Sequence, residues 1–321
     1  MRDLRFLALA LFLGTTSGCD SGDTSAPSDE ATSNATSSVT TVNSTNTQAT
    51  VTSTTGSSGP GGGLVYETGM GCTPGSLTLN QTLYGRWDKL KVDIDGLQYF
   101  LQVNQWNEAA AGTQTMKVGT DGYLFKMTAQ TATAPTNGGP TGFPSIFIGG
   151  NSNNVTEGSN LPKQVSTLTN VPTTWVWKDA GTLANGTANS YNAAYDVWFS
   201  QGADGEPSAY HPSGAFLMVW YHKPFDAQPI GSIVDNAVTV DGVPGQWNVW
   251  VGTNNNTPII SYTAVQSISS MDFDLMDFIR HAIARGDTVQ NSHYLTNIFA
   301  GFEIWRGGVN LETTSFCAEV L

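Results

Sequence analysis

From Leu97 onward a period of two governs the chain, and that period leaves little choice of fold. Leu97-Gln98-Tyr99-Phe100-Leu101-Gln102-Val103-Asn104-Gln105-Trp106 sets Tyr99, Leu101 and Val103 opposite Gln102, Asn104 and Trp106. Similar short runs follow at 143–148, 174–177, 194–199, 246–251, 258–262 and 299–305, separated by turn residues. Many short strands at such intervals predict a two-sheet sandwich or a barrel. One segment keeps a different period. Leu275, Phe278, Ile279, Ala282 and Ile283 recur at helical spacing over 273–285. Ser269 and Ser270 offer caps, Asp272, Asp274 and Asp277 suit the N-terminal dipole, and Gly286 can end the turn. The expectation is an all-β protein with one amphipathic helix packed on the outside of a sheet.

The first 63 residues are different material. Arg2 and Arg5, an apolar run from Phe6 to Leu13 and small residues up to Gly18 have the layout of a secretory signal peptide, with the apolar run too short to span a bilayer. Thr16-Ser17-Gly18-Cys19 resembles a bacterial lipoprotein signal, which would lipidate Cys19 and attach the chain to a membrane. Residues 19–63 are Ser, Thr, Asn, Ala and Gly with few charges and read as a flexible tether. The folded domain is then 64–321. An exported protein, either a surface or outer-membrane lipoprotein or a secreted one, is expected.

A net charge of −13 with only 12% charged residues argues against a nucleic-acid partner. Cys72 and Cys317 remain as a candidate disulfide once Cys19 is set aside. No Cys/His cluster has ligand spacing, so neither a metal nor a cofactor is implied. The chain is expected to be a monomer.

Two carboxylates sit where strand patterning does not call for them. Asp196 alternates in step with Trp198, and Glu303 with Trp305, while Tyr195, Val197, Phe199, Phe302 and Ile304 fill the opposite faces. Indole faces stack on pyranose rings, and paired acids cleave glycosidic bonds. Pattern alone fits equally well a sandwich core of indoles with acids at its edges.

A resemblance narrows the choice. Ala193-Ala194-Tyr195-Asp196-Val197-Trp198-Phe199, Leu217-Met218-Val219-Trp220, Ala227-Gln228-Pro229-Ile230-Gly231-Ser232 and Ala300-Gly301-Phe302-Glu303-Ile304-Trp305 resemble glycoside hydrolase family 12, in that family's order. Asn104-Gln105-Trp106, Pro135-Thr136-Asn137-Gly138-Gly139-Pro140 and Phe143-Pro144-Ser145-Ile146 match as well. The resemblance implies a β-jelly roll of two curved antiparallel sheets, with a cleft in the concave one. It also implies retaining action on β-1,4-glucan or xyloglucan chains. Glu303 looks like the general acid/base and Asp196 like the residue that tunes the nucleophile. Asn104 and Trp106 resemble the glucose-binding pair on the non-reducing side. Met218 and Trp305 fall among the cleft residues, and Gln228 and Pro229 in the loop arching over the cleft.

The family's nucleophile is a Glu two residues before the Met of Met-aliphatic-Trp. Here that position is Phe216, and shifting the register by one yields Ala215 or Leu217. A retaining glycosidase needs two carboxyls about 5–5.5 Å apart, so hydrolysis is expected to be weak or lost. Cysteines and a His that the family often carries are also missing around Thr115 and Gly150-Asn151-Ser152. Three readings follow: a glucan-binding protein derived from an endoglucanase, a hydrolase using Glu303 as acid and Asp196 as base, and a surface jelly roll with no sugar ligand. Glu206 is a remoter candidate acid.

Overall fold

The computed structural model describes residues 52–53, 63–119, 121–181 and 188–321. The proposed signal peptide, Cys19 and nearly all of the tether lie outside the described residues. Thr52–Ser53 does not fit the tether reading, because it pairs antiparallel with Tyr66 and Glu67 as an edge of a sheet.

Two sheets stack. The larger has eleven strands, ordered Ser232–Val240, Val243–Asn254, Thr257–Ala264, Ala215–His222, Ala193–Ser200, Tyr294–Gly301, Ser145–Asn151, Leu97–Gln102 and Lys89–Ile94, with Asn154–Val155 and Lys163–Gln164 attached at its side. The smaller has eight and is centred on Ile268–Asp274, Pro172–Lys178 and Glu312–Ala318. The sheets are mixed rather than purely antiparallel. Ala215–His222 runs parallel to Thr257–Ala264, and Leu64–Glu67 parallel to Ile268–Asp274. Such pairs need long crossovers, and the segment from 223 to 256, which carries the Gln228–Pro229 loop, supplies the first of them.

Alternation sorts each strand between two apolar environments. Ala215, Leu217, Val219 and Tyr221 join Tyr195, Val197, Phe199, Phe302 and Ile304 in the core between the sheets. At its centre Trp175 is fully buried, with ring centroids 5.5 Å from Tyr195, 5.4 Å from Tyr221 and 5.8 Å from Phe302. Such pairs add about 0.5–1.5 kcal/mol each beyond burial. Ala194, Phe216, Met218, Trp220, Ile259 and Trp305 form a separate cluster on the outer face of the larger sheet. Phe100, Phe143, Phe147 and Phe299 continue that face, linked through Trp198.

The helix spans Leu275–Arg285 and ends at Gly286, whose φ of 80° suits a left-handed cap. Its N-cap is Asp274, not Ser269 or Ser270, which belong to the preceding strand. Asp274 accepts hydrogen bonds from Met276 N at 2.9 Å and Val171 N at 2.7 Å. The packing also corrects the sequence reading. The buried helix face joins the inter-sheet core, with Phe278 edge-on to Trp247 at 4.9 Å and beside Tyr262 at 4.8 Å. It closes the core where the smaller sheet runs out and does not decorate the sheet's outer side.

A disulfide joins Cys72 to Cys317, with Cα atoms 6.0 Å apart. It pins the irregular segment after Glu67 to the Glu312–Ala318 strand. The same segment is held by Asp272, whose carboxylate accepts from the backbone N–H groups of Thr68 and Gly69.

Candidate functional site

The register across the larger sheet builds the acid-bearing face row by row. Asp196 stands opposite Met218 on one neighbour and Phe299 on the other, and Trp198 stands opposite Phe216 and Asn297. Trp220 faces Ala194, and Gly301 lies beyond it. Immediately after Gly301 the chain turns at Phe302 and Glu303 before the short Ile304–Arg306 strand, which pairs with Ser190–Tyr191. The turn delivers Glu303 beside Asp196, one strand away.

Asn192 fixes Glu303, and sequence reasoning missed it. Asn192 is fully buried. Its backbone N donates to Glu303 O at 2.9 Å, its Oδ1 accepts from Glu303 N at 2.8 Å, and its Nδ2 donates to Glu303 Oε2. A lone Asn before a strand carries no periodic signal. Only its reciprocal bonding marks it.

Both carboxyls favour their neutral forms. Burial pushes Glu303 up to about 8, the like charge of Asp196 adds to the rise, and the Asn192 bond opposes it. Burial pushes Asp196 up to about 7 against the hydrogen bond that its Oδ2 accepts from Trp198 Nε1 at 2.8 Å. Asp196 Oδ1 is buried and has no hydrogen-bond partner. Because both folded-state values exceed the usual 4.5 and 3.8, the pair favours folding most at low pH. That contribution is lost as pH rises through about 7 and 8. Thermal midpoints measured from pH 4 to 8 should fall, and Asp196→Asn should flatten the slope. An unchanged slope in both Asp196→Asn and Glu303→Gln would remove these carboxyls as its source.

Phe216 lies on this face, not between the sheets, and is 5% exposed. Trp198 meets it edge-on at 5.9 Å, and His211 at 4.8 Å. His211 is itself held by Pro212 O and Asn254 O, at 3.0 and 3.1 Å. Glu206 accepts from Ser213 N at 3.2 Å.

Asn104 and Trp106 sit past the end of the Leu97–Gln102 strand, which stops short of the predicted 97–106. Asn104 takes a left-handed φ of 45°, which Asn tolerates better than most residues and which breaks the pleat. Trp106 is 40% exposed, whereas Trp305 is 3% exposed. The loop between Pro135 and Pro140 bridges them. Trp305 Nε1 donates to Gly138 O at 2.8 Å, and a Cβ on Gly139 would lie 2.9 Å from the Trp106 ring. Any side chain there would push the Trp106 ring aside. In the arching loop Ala227 and Pro229 are buried and Gln228 is exposed. Ala227 packs into the cluster of Trp220 and Trp305. Asp226 anchors the loop through Ser190 Oγ at 2.7 Å and Arg306 Nη2 at 2.5 Å. A hollow of about 190 Å³ lined by Leu64, Tyr66, Gln246, Val265, Gln266 and Ile268 has no carboxylate or imidazole in its lining.

A stacked β-sandwich bearing two half-buried carboxyls among indoles on its outer face has the construction of carbohydrate-active jelly rolls. Comparison with known proteins sharpens that class. The family model "Glycosyl hydrolase family 12" matches residues 97–321. A probable cellulase, Cel12b, of Mycobacterium tuberculosis is 32% identical over 163 residues, 51% of this chain and 99% of that protein. A xyloglucan-specific endo-beta-1,4-glucanase A of Emericella nidulans is 31% identical over 158 residues, 49% of this chain and 61% of that protein. Among solved structures, the endoglucanase cel12A from Rhodothermus marinus superposes with a TM-score of 0.64 at 30% identity, covering 75% of this chain and 99% of that one. The chain belongs to glycosyl hydrolase family 12.

Proposed function

We propose that this protein binds β-1,4-linked glucan or xyloglucan chains in a cleft over the Asp196–Glu303 face, and that it has lost retaining hydrolysis. The observation that carries this reading is Phe216 on the acid-bearing face beside Trp198, in the position that the motif frame assigns to the nucleophile. A benzyl group can neither form a glycosyl ester nor shuttle a proton. The platforms that sugar binding needs persist. Trp106 is exposed for stacking, and Asn104 and Glu303 are available for hydrogen bonds. Asp196 Oδ1, left without a donor, is consistent with a partner carboxyl lost from this face. In this reading residues 1–63 export the domain and hold it at the cell surface through Cys19.

Isothermal titration of the full chain with cellohexaose and a xyloglucan oligosaccharide tests the proposal. Saturable binding is expected, weakened about ten-fold or more in Trp106→Ala, since stacking of this kind contributes on the order of 1–2 kcal/mol. No heat at millimolar ligand would leave only a surface jelly roll without a sugar ligand.

One observation favours a second reading. Burial and the neighbouring Asp196 hold Glu303 towards its protonated, donating form, and Asp196 beside it is the acid that could act as a base on water. Such a route would be inverting and would need about 6.5–9.5 Å between the carboxyls. Its signature is wild-type reducing-end release with inverted product, abolished by Asp196→Asn.

A further inference from the structure

The chain leaves the Thr257–Ala264 strand of the larger sheet for the Ile268–Asp274 strand of the smaller one at a corner of the sandwich, and the hollow of about 190 Å³ lies there. Leu64 and Tyr66 form one wall, Gly245 and Gln246 a second, and Val265, Gln266 and Ile268 a third. Backbone bonds pin the walls together, from Leu64 N to Ser267 O at 2.7 Å and from Val265 N to Gln246 O at 2.9 Å. The Leu64–Glu67 strand precedes residues 97–321, so the corner is built partly by chain outside the family match. It also stands apart from the acids. Ser261 lies in the row of Met218 and Asp196, and Val265 is four positions further on, about 13 Å along the strand.

The lining mixes two kinds of surface. Ile268 is buried, and Leu64 and Tyr66 are half-buried, so part of the wall is apolar and aromatic. Gln246 and Gln266 are exposed. Neither of their amides, nor the Tyr66 hydroxyl, has a hydrogen-bond partner among the described residues. Gly245 keeps that hydroxyl accessible, since a Cβ there would lie 3.3 Å from Tyr66 Oη, and its φ of 84° is left-handed. No side chain in the lining is charged. An ion would find no countercharge in this corner, and a purely apolar ligand would strip water from three polar groups without replacing it. We propose that the corner is a second carbohydrate site, which takes one neutral glycosyl unit of a glucan chain lying outside the cleft. The apolar wall packs against the C–H face of the pyranose, and two amides and a phenol hydroxyl supply donors and acceptors for its hydroxyls. The choice of sugar rests on the glucan-binding reading above, to which this site adds a point of attachment that leaves Asp196 and Glu303 free.

The test is a titration of cellotriose into the isotope-labelled full chain, with the side-chain amide signals of Gln246 and Gln266 followed by NMR beside the indole signal of Trp106. Both amide signals should shift saturably at millimolar sugar, in wild type and in Trp106→Ala alike. Gln246→Ala/Gln266→Ala should weaken the corner site about ten-fold or more, read at the Tyr66 backbone amide, since one hydrogen bond is worth about three- to ten-fold. Its thermal midpoint should match that of wild type, because both amides are exposed and unpartnered. Amide signals that stay still while the Trp106 signal moves, or a Tyr66 response unchanged in the double variant, overturn the corner site and leave the glucan-binding reading standing. Movement at the corner beside a still Trp106 signal keeps the site and removes the cleft reading, whereas no movement at either removes both. An equal response to glycerol overturns the assignment to sugar.

Discussion

If retaining hydrolysis is lost as proposed above, Phe216→Glu should restore it and give a working endoglucanase. Reducing-end release on carboxymethyl cellulose or xyloglucan is expected to rise by on the order of four decades, the scale on which nucleophile deletions disable other hydrolases. The argument is geometric. Position 216 lies on the same face as Asp196 and one residue pair along the ladder from it, with Trp198 directly opposite. A carboxylate there would stand among groups already held in place, Glu303 by three bonds to Asn192 and Asp196 by Trp198. The product should keep its anomeric configuration, and adding Glu303→Gln should abolish the gain. The substitution also has a cost in stability. It removes a nearly buried ring that packs against Trp198 and His211 and places a charge in its stead, a change of about 2–4 kcal/mol. Activity should therefore be assayed well below the variant's unfolding temperature. A wild type that already matches Phe216→Glu in rate would overturn the assignment of this position.

Removing the Cys72–Cys317 bond should be the largest stability change available by simple means. The bridge closes a loop with a sequence separation of 245. On the chain-entropy account, such a loop contributes about 5 kcal/mol, and for a domain of this size that corresponds to a midpoint lower by about 10–20 °C. The segment it holds has few alternatives. From Thr68 to Asn80 the backbone has no regular structure, and besides the disulfide it is held by Asp272, by Thr174 Oγ1, which donates to Cys72 O at 2.8 Å, and by Leu77 and Leu79 against the core. Thermal unfolding of Cys72→Ala/Cys317→Ala beside wild type, each with and without reductant, measures the effect. A difference of only a degree or two would mean that Asp272 and the strand pairing suffice.

Much of this fold was legible because its signal is local. The alternation through 215–221 separates Phe216, Met218 and Trp220 from Leu217, Val219 and Tyr221, and the two buried clusters divide along that line. Helical spacing likewise marked 275–285. What escaped was non-local. The parallel pairing of 215–222 with 257–264 depends on where a crossover returns the chain, which no window of sequence records. The helix cap was misplaced because a strand runs directly into the helix, so that Asp274 serves both elements while the serines before it pair within the sheet. The helix was assigned to the wrong side for a related reason. An amphipathic stripe says that one face is buried, not which sheet surface buries it. At the site, Asp196 and Glu303 stood out as acids in apolar strands. Asn192 and His211 did not, since each becomes notable only through a neighbour distant in sequence.

The glycine bridge between Trp106 and Trp305 has a mechanical consequence. One indole is tied to the loop by a bond to the Gly138 carbonyl, and the other lies against the bare Cα of Gly139. The two rings are thus coupled through a single peptide unit, like jaws on a common pivot. A side chain added at Gly139 would therefore press on the Trp106 ring from the same short loop that holds Trp305.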